Sequence, residues 1–212
     1  MMESGTSVTY TIEDSDELLL TQYSRTGERK LFETLMRRYE REIFSFLRRY
    51  LGRDDLADDA FQGTFLQVHL KCAQFDSARR FRPWLYAIAT NQAIDVQRKV
   101  GRRKMVSLDH SSLGQDNRPV SWADQLVADG PSPARIAEDH EHSHWVREAV
   151  TNLGESLELV IQLVYFQGLK YREAAEVLAI PVGTVKSRVN AAITRLAMQW
   201  HESQADEVST AE

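Results

Sequence analysis

The chain has 212 residues, one cysteine and a net charge of −5, with 42% apolar and 27% charged residues. That length allows one large domain or two small ones, and the lone Cys72 excludes an internal disulfide or a multi-cysteine zinc site. No run of about 18 apolar residues is present, which excludes a membrane-spanning helix, and the acidic start MMESGTSVTYTIEDSDE lacks an apolar signal core, so the chain is expected to stay in the cytoplasm without membrane insertion.

Apolar residues recur at helical spacing and nowhere alternate like a strand, so the expected fold class is all-α. Ser15 or Asp16 caps a short helix through Leu18, Leu19, Leu20 and Tyr23. A longer helix, from about Glu28 to Leu51, lines up Leu31, Phe32, Leu35, Tyr39, Ile43, Phe46, Leu47 and Tyr50, and Gly52 ends it. Asp54 and Asp55 open a third helix, where acids suit the positive end of the helix dipole. It runs to about Phe75 through Leu56, Ala60, Phe65, Leu66, Val68 and Leu70. A loop over 76–80 leads to a fourth helix that begins near Arg82 or Pro83, since proline is tolerated in a first turn. Trp84, Leu85, Ile88, Ala89, Ile94 and Val96 line it, and it ends in the basic run Arg98 to Lys104. Residues 105–132 are rich in Gly, Pro, Ser and Asp, have no period and read as a flexible linker, with Trp122, Leu126 and Val127 as docking candidates. A last helical block follows, giving two small helical domains over 15–104 and 133–202.

The last block contains LKYREAAEVLAIPVGTVKSRVNAAITR, two short helices around a tight turn. Ala174, Ala175, Val177 and Leu178 are the apolar side of the first. Pro181 ends it, Gly183 bends the chain and Thr184 is the expected N-cap of the second. Val185, Val189, Ala192, Ile193 and Leu196 are spaced for burial, which frees Lys186, Ser187, Arg188 and Asn190. A helix-turn-helix needs this arrangement, because its second helix is held by an apolar face while polar and basic side chains enter a major groove. An ordinary helical hairpin would show the same spacing.

Net acidity does not exclude a nucleic-acid partner, because the charge is unevenly spread. Residues 25–104 hold 18 Lys and Arg against 10 Asp and Glu, while 1–24 and 105–145 are acidic. Within the basic segment Phe75, Arg79, Arg80, Phe81, Arg82, Trp84 and Tyr86 interleave aromatics and cations, followed by Asn91, Gln92, Asp95, Gln97, Arg98 and Lys99. Aromatic faces stack on unpaired bases and cations follow the backbone, so this surface suits single-stranded DNA. Helical spacing cannot turn Phe81, Trp84 and Tyr86 all outward, so at least one belongs to the core; for Trp84 core and stacking stay open.

Together ADDAFQGTFLQVH, FRPWLYAIATNQAIDVQRK and YFQGLKYREAAEVLAIPVGTVKSRV resemble the two domains of bacterial sigma factors, in the extracytoplasmic-function (ECF) group of the sigma-70 family, over residues 31–104 and 150–198. The resemblance implies an initiation subunit that binds core RNA polymerase at the β′ clamp helices and the β flap and acts on promoter DNA. It implies that Asp58, Asp59 and Gln62 meet polymerase. The −10 element would be captured and melted by Phe75, Arg80, Trp84, Asn91, Arg98 and Lys99, with Arg102 and Arg103 also on phosphates. Thr184, Lys186, Ser187, Arg188 and Asn190 would read the −35 element. An anti-sigma factor is a further implied partner, and the acidic linker would run toward the RNA exit path. Three positions depart from the family pattern: Gly63 where an acid usually follows Gln62, Leu153-Gly154 where Leu-Pro is usual, and Asn190-Ala191 where Arg-Ala is frequent.

No catalytic constellation is evident, no Gly-rich phosphate loop is present, and no cofactor is expected. His140, His142 and His144 alternate, and helix positions i and i+2 point apart, so a metal site is not expected. Asp58 and Asp59 read as surface or contact charges, not as an acid/base pair. The competing readings are a self-sufficient helix-turn-helix regulator whose N-terminal helices dimerise and an interaction module that sequesters another regulator.

Overall fold

The computed structural model describes residues 15–107 and 145–210, with side chains described for 15–102 and 145–204. All regular structure among the described residues is helical, and it forms two compact units, each treated by itself. The expected all-α class is what the chain adopts. No described helix is long and apolar enough to cross a membrane. The histidines at 140–144 and most of the expected linker lie outside the described residues.

The first unit contains α1 (Asp16–Thr26), α2 (Arg29–Leu51), α3 (Asp54–Lys71), a 3-10 turn (Cys72–Gln74) and α4 (Phe81–Ser107) as far as Arg98. Helix α2 is its spine. It buries Leu31, Leu35, Tyr39, Ile43, Phe46, Leu47 and Tyr50, a single stripe at helical spacing, and packs on α1 and α3. Each such side chain removed from water contributes roughly 1.5–3 kcal/mol. Gly52 stops the helix in the left-handed region (φ 68°) and donates its N–H to the Arg48 carbonyl at 2.9 Å.

Helix α3 presents Ala57, Ala60, Thr64, Phe65 and Val68 to the core, and the buried Thr64 hydroxyl is satisfied by the Ala60 carbonyl at 2.7 Å. Helix α4 buries Phe81, Leu85, Tyr86, Ala89 and Ala93. It is tied to α2 by Glu42, whose Oε1 accepts from Arg82 Nε at 2.8 Å and Tyr86 Oη at 2.7 Å, and by Tyr50 Oη donating to Gln97 Oε1 at 2.8 Å. Burial, and then the Glu42 acceptor, raise the Tyr86 phenol above its ordinary pKa, so it remains a donor.

Three expectations need correction here. Helix α3 ends at Lys71 and gives way to the 3-10 turn, not continuing to Phe75. Leu66 and Leu70 are 56% and 59% exposed, because they lie beyond the stripe set by Ala57, Ala60, Thr64 and Val68. Helix α4 opens at Phe81, before Arg82 and Pro83, because the Phe81 N–H is taken by Glu17 Oε1 at 2.9 Å.

The second unit contains α5 (helical over 145–151), α6 (Glu155–Ile161) running into a π-helical turn (Gln162–Phe166), α7 (Tyr171–Leu178) and α8 (Val182–Thr210). Val150, Leu153, Ile161 and Ala192 form its core, with Leu157 and Leu196 packed against it. Trp145 and Trp200 meet edge to face at 4.8 Å. Gly154, between α5 and α6, has φ 88° and ψ 150°, a conformation open essentially to glycine. Its carbonyl accepts from Glu158 N at 2.9 Å, so α6 starts soundly without the proline that the family pattern puts there.

The turn between α7 and α8 also differs from expectation. The left-handed residue is Ala179 (φ 51°), not Gly183, and the Ile180 N–H returns to the Ala175 carbonyl at 3.0 Å. Helix α8 starts at Val182, and the Pro181 carbonyl accepts from Thr184 N at 2.9 Å and Val185 N at 3.2 Å. Thr184 is therefore a first-turn residue and not the N-cap. Proline at this boundary suits a helix start, because the missing N–H has no intrahelical acceptor to lose. Ile193, expected in the core, is exposed.

Candidate nucleic-acid interface

The surface of the first unit is organised by the entry into α4. Asp76 Oδ1 accepts from Ala78 N at 2.9 Å and its carbonyl from Arg79 N at 2.9 Å, so the loop turns back tightly after Phe75. Phe75 is half-buried, and its ring meets Trp84 at 5.0 Å and Phe81 at 6.1 Å, both edge-on. Edge-on packing uses the rim of one ring and leaves part of an aromatic face available. Phe81 and Tyr86 are core, and Trp84 sits half-buried at the boundary. Arg80 is exposed, whereas Arg82 is engaged by Glu42 and lies over the Tyr86 ring at 5.4 Å.

Beyond the loop, helical geometry does the sorting. At about 100° per residue, Trp84, Asn91, Asp95, Arg98 and Arg102 fall within a strip about 60° wide, with Lys99 beside it. Asn91, Arg98, Lys99 and Arg102 are exposed. An aromatic edge, an amide, the Asp95 carboxylate and then cations thus follow one another along a single face. That order can stack a base, bond its edge and neutralise the phosphates that follow. The structure therefore brings Phe75, Trp84, Asn91, Arg98 and Lys99 to one side of α4.

A second face lies on α3. Asp58, Asp59 and Gln62 are exposed and continue into exposed Leu66 and Leu70 within an arc of about 120°. The two leucines were missed as surface residues. The available signal was their phase, since they repeat with Gln62 and not with Ala60 and Thr64. An acidic edge leading into an uncovered apolar stripe has the makeup of a protein-binding face.

Gly63 sits at the crossing with α4. A Cβ there would lie 2.5 Å from Gln92 Oε1, so the Gln92 side chain occupies the space that any larger residue would need. A larger residue at position 63 would require the end of the Gln92 side chain to move aside.

In the second unit α8 is held by buried Val185, Val189 and Ala192. Ser187 and Asn190 lie opposite that face, with Lys186 and Arg188 on its two flanks. Lys186, Ser187 and Asn190 are exposed, and Thr184 and Arg188 are half-exposed. Ser187 Oγ donates to the Thr184 carbonyl at 3.0 Å, one turn back, so its lone pairs remain open outward.

The Sigma-70 region 2 family matches residues 35–103 and the Sigma-70 region 4 family matches 143–196. The chain is 32% identical over 166 residues to the ECF RNA polymerase sigma factor SigW of Bacillus subtilis, covering 78% of this chain and 87% of the relative. The chain is an ECF sigma factor of the sigma-70 family. This sigma factor is also 31% identical over 170 residues to the ECF RNA polymerase sigma-E factor of Haemophilus influenzae, covering 80% of this chain and 87% of the relative. Two solved structures share its fold. CnrH, solved in complex with the cytosolic domain of CnrY, superposes with a TM-score of 0.63 at 23% identity, covering 89% of this sigma factor and 99% of that chain. RpoE of Bartonella quintana, solved with the anti-sigma factor NepR, has a TM-score of 0.59 at 22% identity, covering 78% and 93%. The region 2 match thus spans both faces described for the first unit, and the region 4 match spans the exposed polar side of α8.

Proposed function

We propose that this sigma factor binds core RNA polymerase through α3, opens the −10 element on α4 and reads the −35 element with α8. What carries the reading is the order of groups on α4, where Trp84, Asn91 and Arg98 share one strip next to Phe75. Asp58, Asp59 and Gln62, with Leu66 and Leu70, form the polymerase face. Phe75 and Trp84 take an unstacked base, Asn91 bonds its edge, and Arg80, Arg98 and Lys99 hold phosphates. Thr184, Lys186, Ser187, Arg188 and Asn190 enter the major groove of the −35 element, with the Arg188 guanidinium reaching a base edge. The protein acts without catalysis of its own and in the cytoplasm. Family membership favours this reading over a self-sufficient regulator, because region 2 is matched over residues 35–103 beside region 4 over 143–196. The neighbouring folds were solved with CnrY and NepR, and an anti-sigma factor is the further partner proposed here.

The polymerase face gives the direct test. Leu66→Glu is expected to weaken binding to bacterial core polymerase about tenfold, or about 1.4 kcal/mol. Leu66 is mostly exposed, so the stability of the variant should change by less than about 0.5 kcal/mol. Undiminished affinity in a fluorescence titration with core polymerase would place the polymerase contact elsewhere.

A further inference from the structure

Helix α1 lies outside the residues matched by region 2, which begin at 35. It nevertheless touches both ends of the loop that carries Phe75. Before the loop, α1 packs against the 3-10 turn Cys72–Gln74. After it, Glu17 Oε1 accepts the Phe81 N–H at 2.9 Å, the first N–H of α4. A helix start leaves its first donors without intrahelical partners and carries partial positive charge, and a carboxylate meets both needs. Here that carboxylate comes from a different helix, 64 positions earlier.

The adjacent acid completes the bracket. Asp16 Oδ2 accepts from Tyr39 Oη, and Asp16 Oδ1 from Arg38 Nη1, each at 2.5 Å. The Tyr39 ring packs on Phe81 at 5.3 Å, and Phe81 packs on Phe75 and Trp84. Asp16 therefore steadies one side of the Tyr39–Phe81 contact and Glu17 the other. Tyr23 Oη and His69 Nδ1, 2.6 Å apart, hold the far end of α1 on α3. Three anchors fix a short helix whose main structural consequence is where α4 begins and how the Phe75 loop leaves the 3-10 turn.

We infer that Glu17 is a positioning residue for promoter opening: by capping α4 at Phe81 it fixes the Phe75–Trp84 pair in the geometry that receives an unstacked base. The inference rests on the proposed −10 role of that pair. Glu17 touches no DNA in this account and acts only through Phe81.

The test uses the full chain with bacterial core polymerase, comparing the parent with Glu17→Ala, Glu17→Gln and Phe75→Ala. Opening of a duplex promoter is followed by fluorescence of a 2-aminopurine placed in the −10 element. Core affinity and binding to a −35 duplex are measured alongside. Glu17→Ala is expected to slow opening about fivefold, equivalent to about 1 kcal/mol, with core affinity and −35 binding unchanged. Glu17→Gln keeps an oxygen acceptor at the same reach and should open at nearly the parent rate. A template already unpaired over the −10 element should recover most of the alanine defect. Parent-like opening by Glu17→Ala would overturn the inference, as would equal losses in opening, core affinity and −35 binding, which mean a general structural role. If Phe75→Ala also opens normally, the −10 reading itself fails; if only Phe75→Ala is defective, the role of Glu17 fails alone.

Discussion

Replacing Glu158 with glutamine is expected to stabilise the second unit by several kcal/mol near pH 8, and the gain should vanish as the pH falls toward 5. Glu158 is 4% exposed on α6, and its Oε1 makes no hydrogen bond among the described residues. Gln162, one turn on and 1% exposed, also has an unsatisfied Oε1. Burial, and then the nearby charge of Glu155, push the Glu158 carboxyl up to about 8. The native state therefore keeps a proton there that the unfolded chain releases above pH 4.5. Because the folded pKa is raised, its stabilising contribution is fully present below the unfolded value and is lost as pH rises toward about 8, then levels off. At about 1.4 kcal/mol per pKa unit, a rise from 4.5 to about 8 makes the loss near pH 8 on the order of 4 kcal/mol. Glutamine has the same shape and cannot ionise, so Glu158→Gln should be nearly flat over this range. Urea unfolding followed by tryptophan fluorescence, to which Trp145 and Trp200 of the second unit contribute, repeated from pH 5 to 8.5, measures the difference. Parallel curves for parent and variant would show that Glu158 is solvated in solution.

The second large effect separates the two DNA surfaces. Phe75→Ala is expected to reduce −10 opening by about 1–3 kcal/mol, the usual worth of one base–aromatic stack, while −35 duplex binding is unchanged. Arg188→Ala should do the reverse, weakening −35 duplex binding by about 1–3 kcal/mol if its guanidinium meets a base, and relaxing the preference at that position. Phe75 also packs on Phe81 and Trp84, so its truncation loosens the loop as well as removing a stack. Phe75→Leu tells these apart, since leucine keeps most of the apolar packing and cannot stack. A leucine variant that opens promoters as well as the parent would make Phe75 a packing residue. Equal losses in both assays for Phe75→Ala would lead to the same conclusion.

How much of this was legible in the sequence depended on the range of the interaction involved. Helix α2 was readable throughout, because one apolar stripe at helical spacing has only one way to face a core. Helix α3 was not, since its apolar residues cover more than one face and local spacing cannot say which face is covered. Small Ala57, Ala60 and Thr64 proved to be the buried side, and bulky Leu66 and Leu70 the exposed one. The turn before α8 was misread because alanine rarely takes a left-handed conformation, so Ala179 gave no warning, while Gly183 looked like the bend and is simply helical. The strip on α4 could be drawn by arithmetic from Trp84 onward. The cap from Glu17 to Phe81 could not, because no local rule links positions 64 apart. The Gly63–Gln92 approach is of the same kind, as a glycine inside a helix reads only as a weak point until the neighbouring helix is placed.

Helix α4 is proposed to open a promoter only as part of polymerase. Purified chain would be mixed with bacterial core polymerase and promoter fragments taken from mapped transcript starts, with −10 opening read by permanganate reactivity of unpaired thymines. Opening and promoter-dependent transcription are expected with core polymerase present, and neither with the chain alone. Failure to bind core at micromolar concentration, or transcription from core polymerase that is the same with and without the chain, would contradict it.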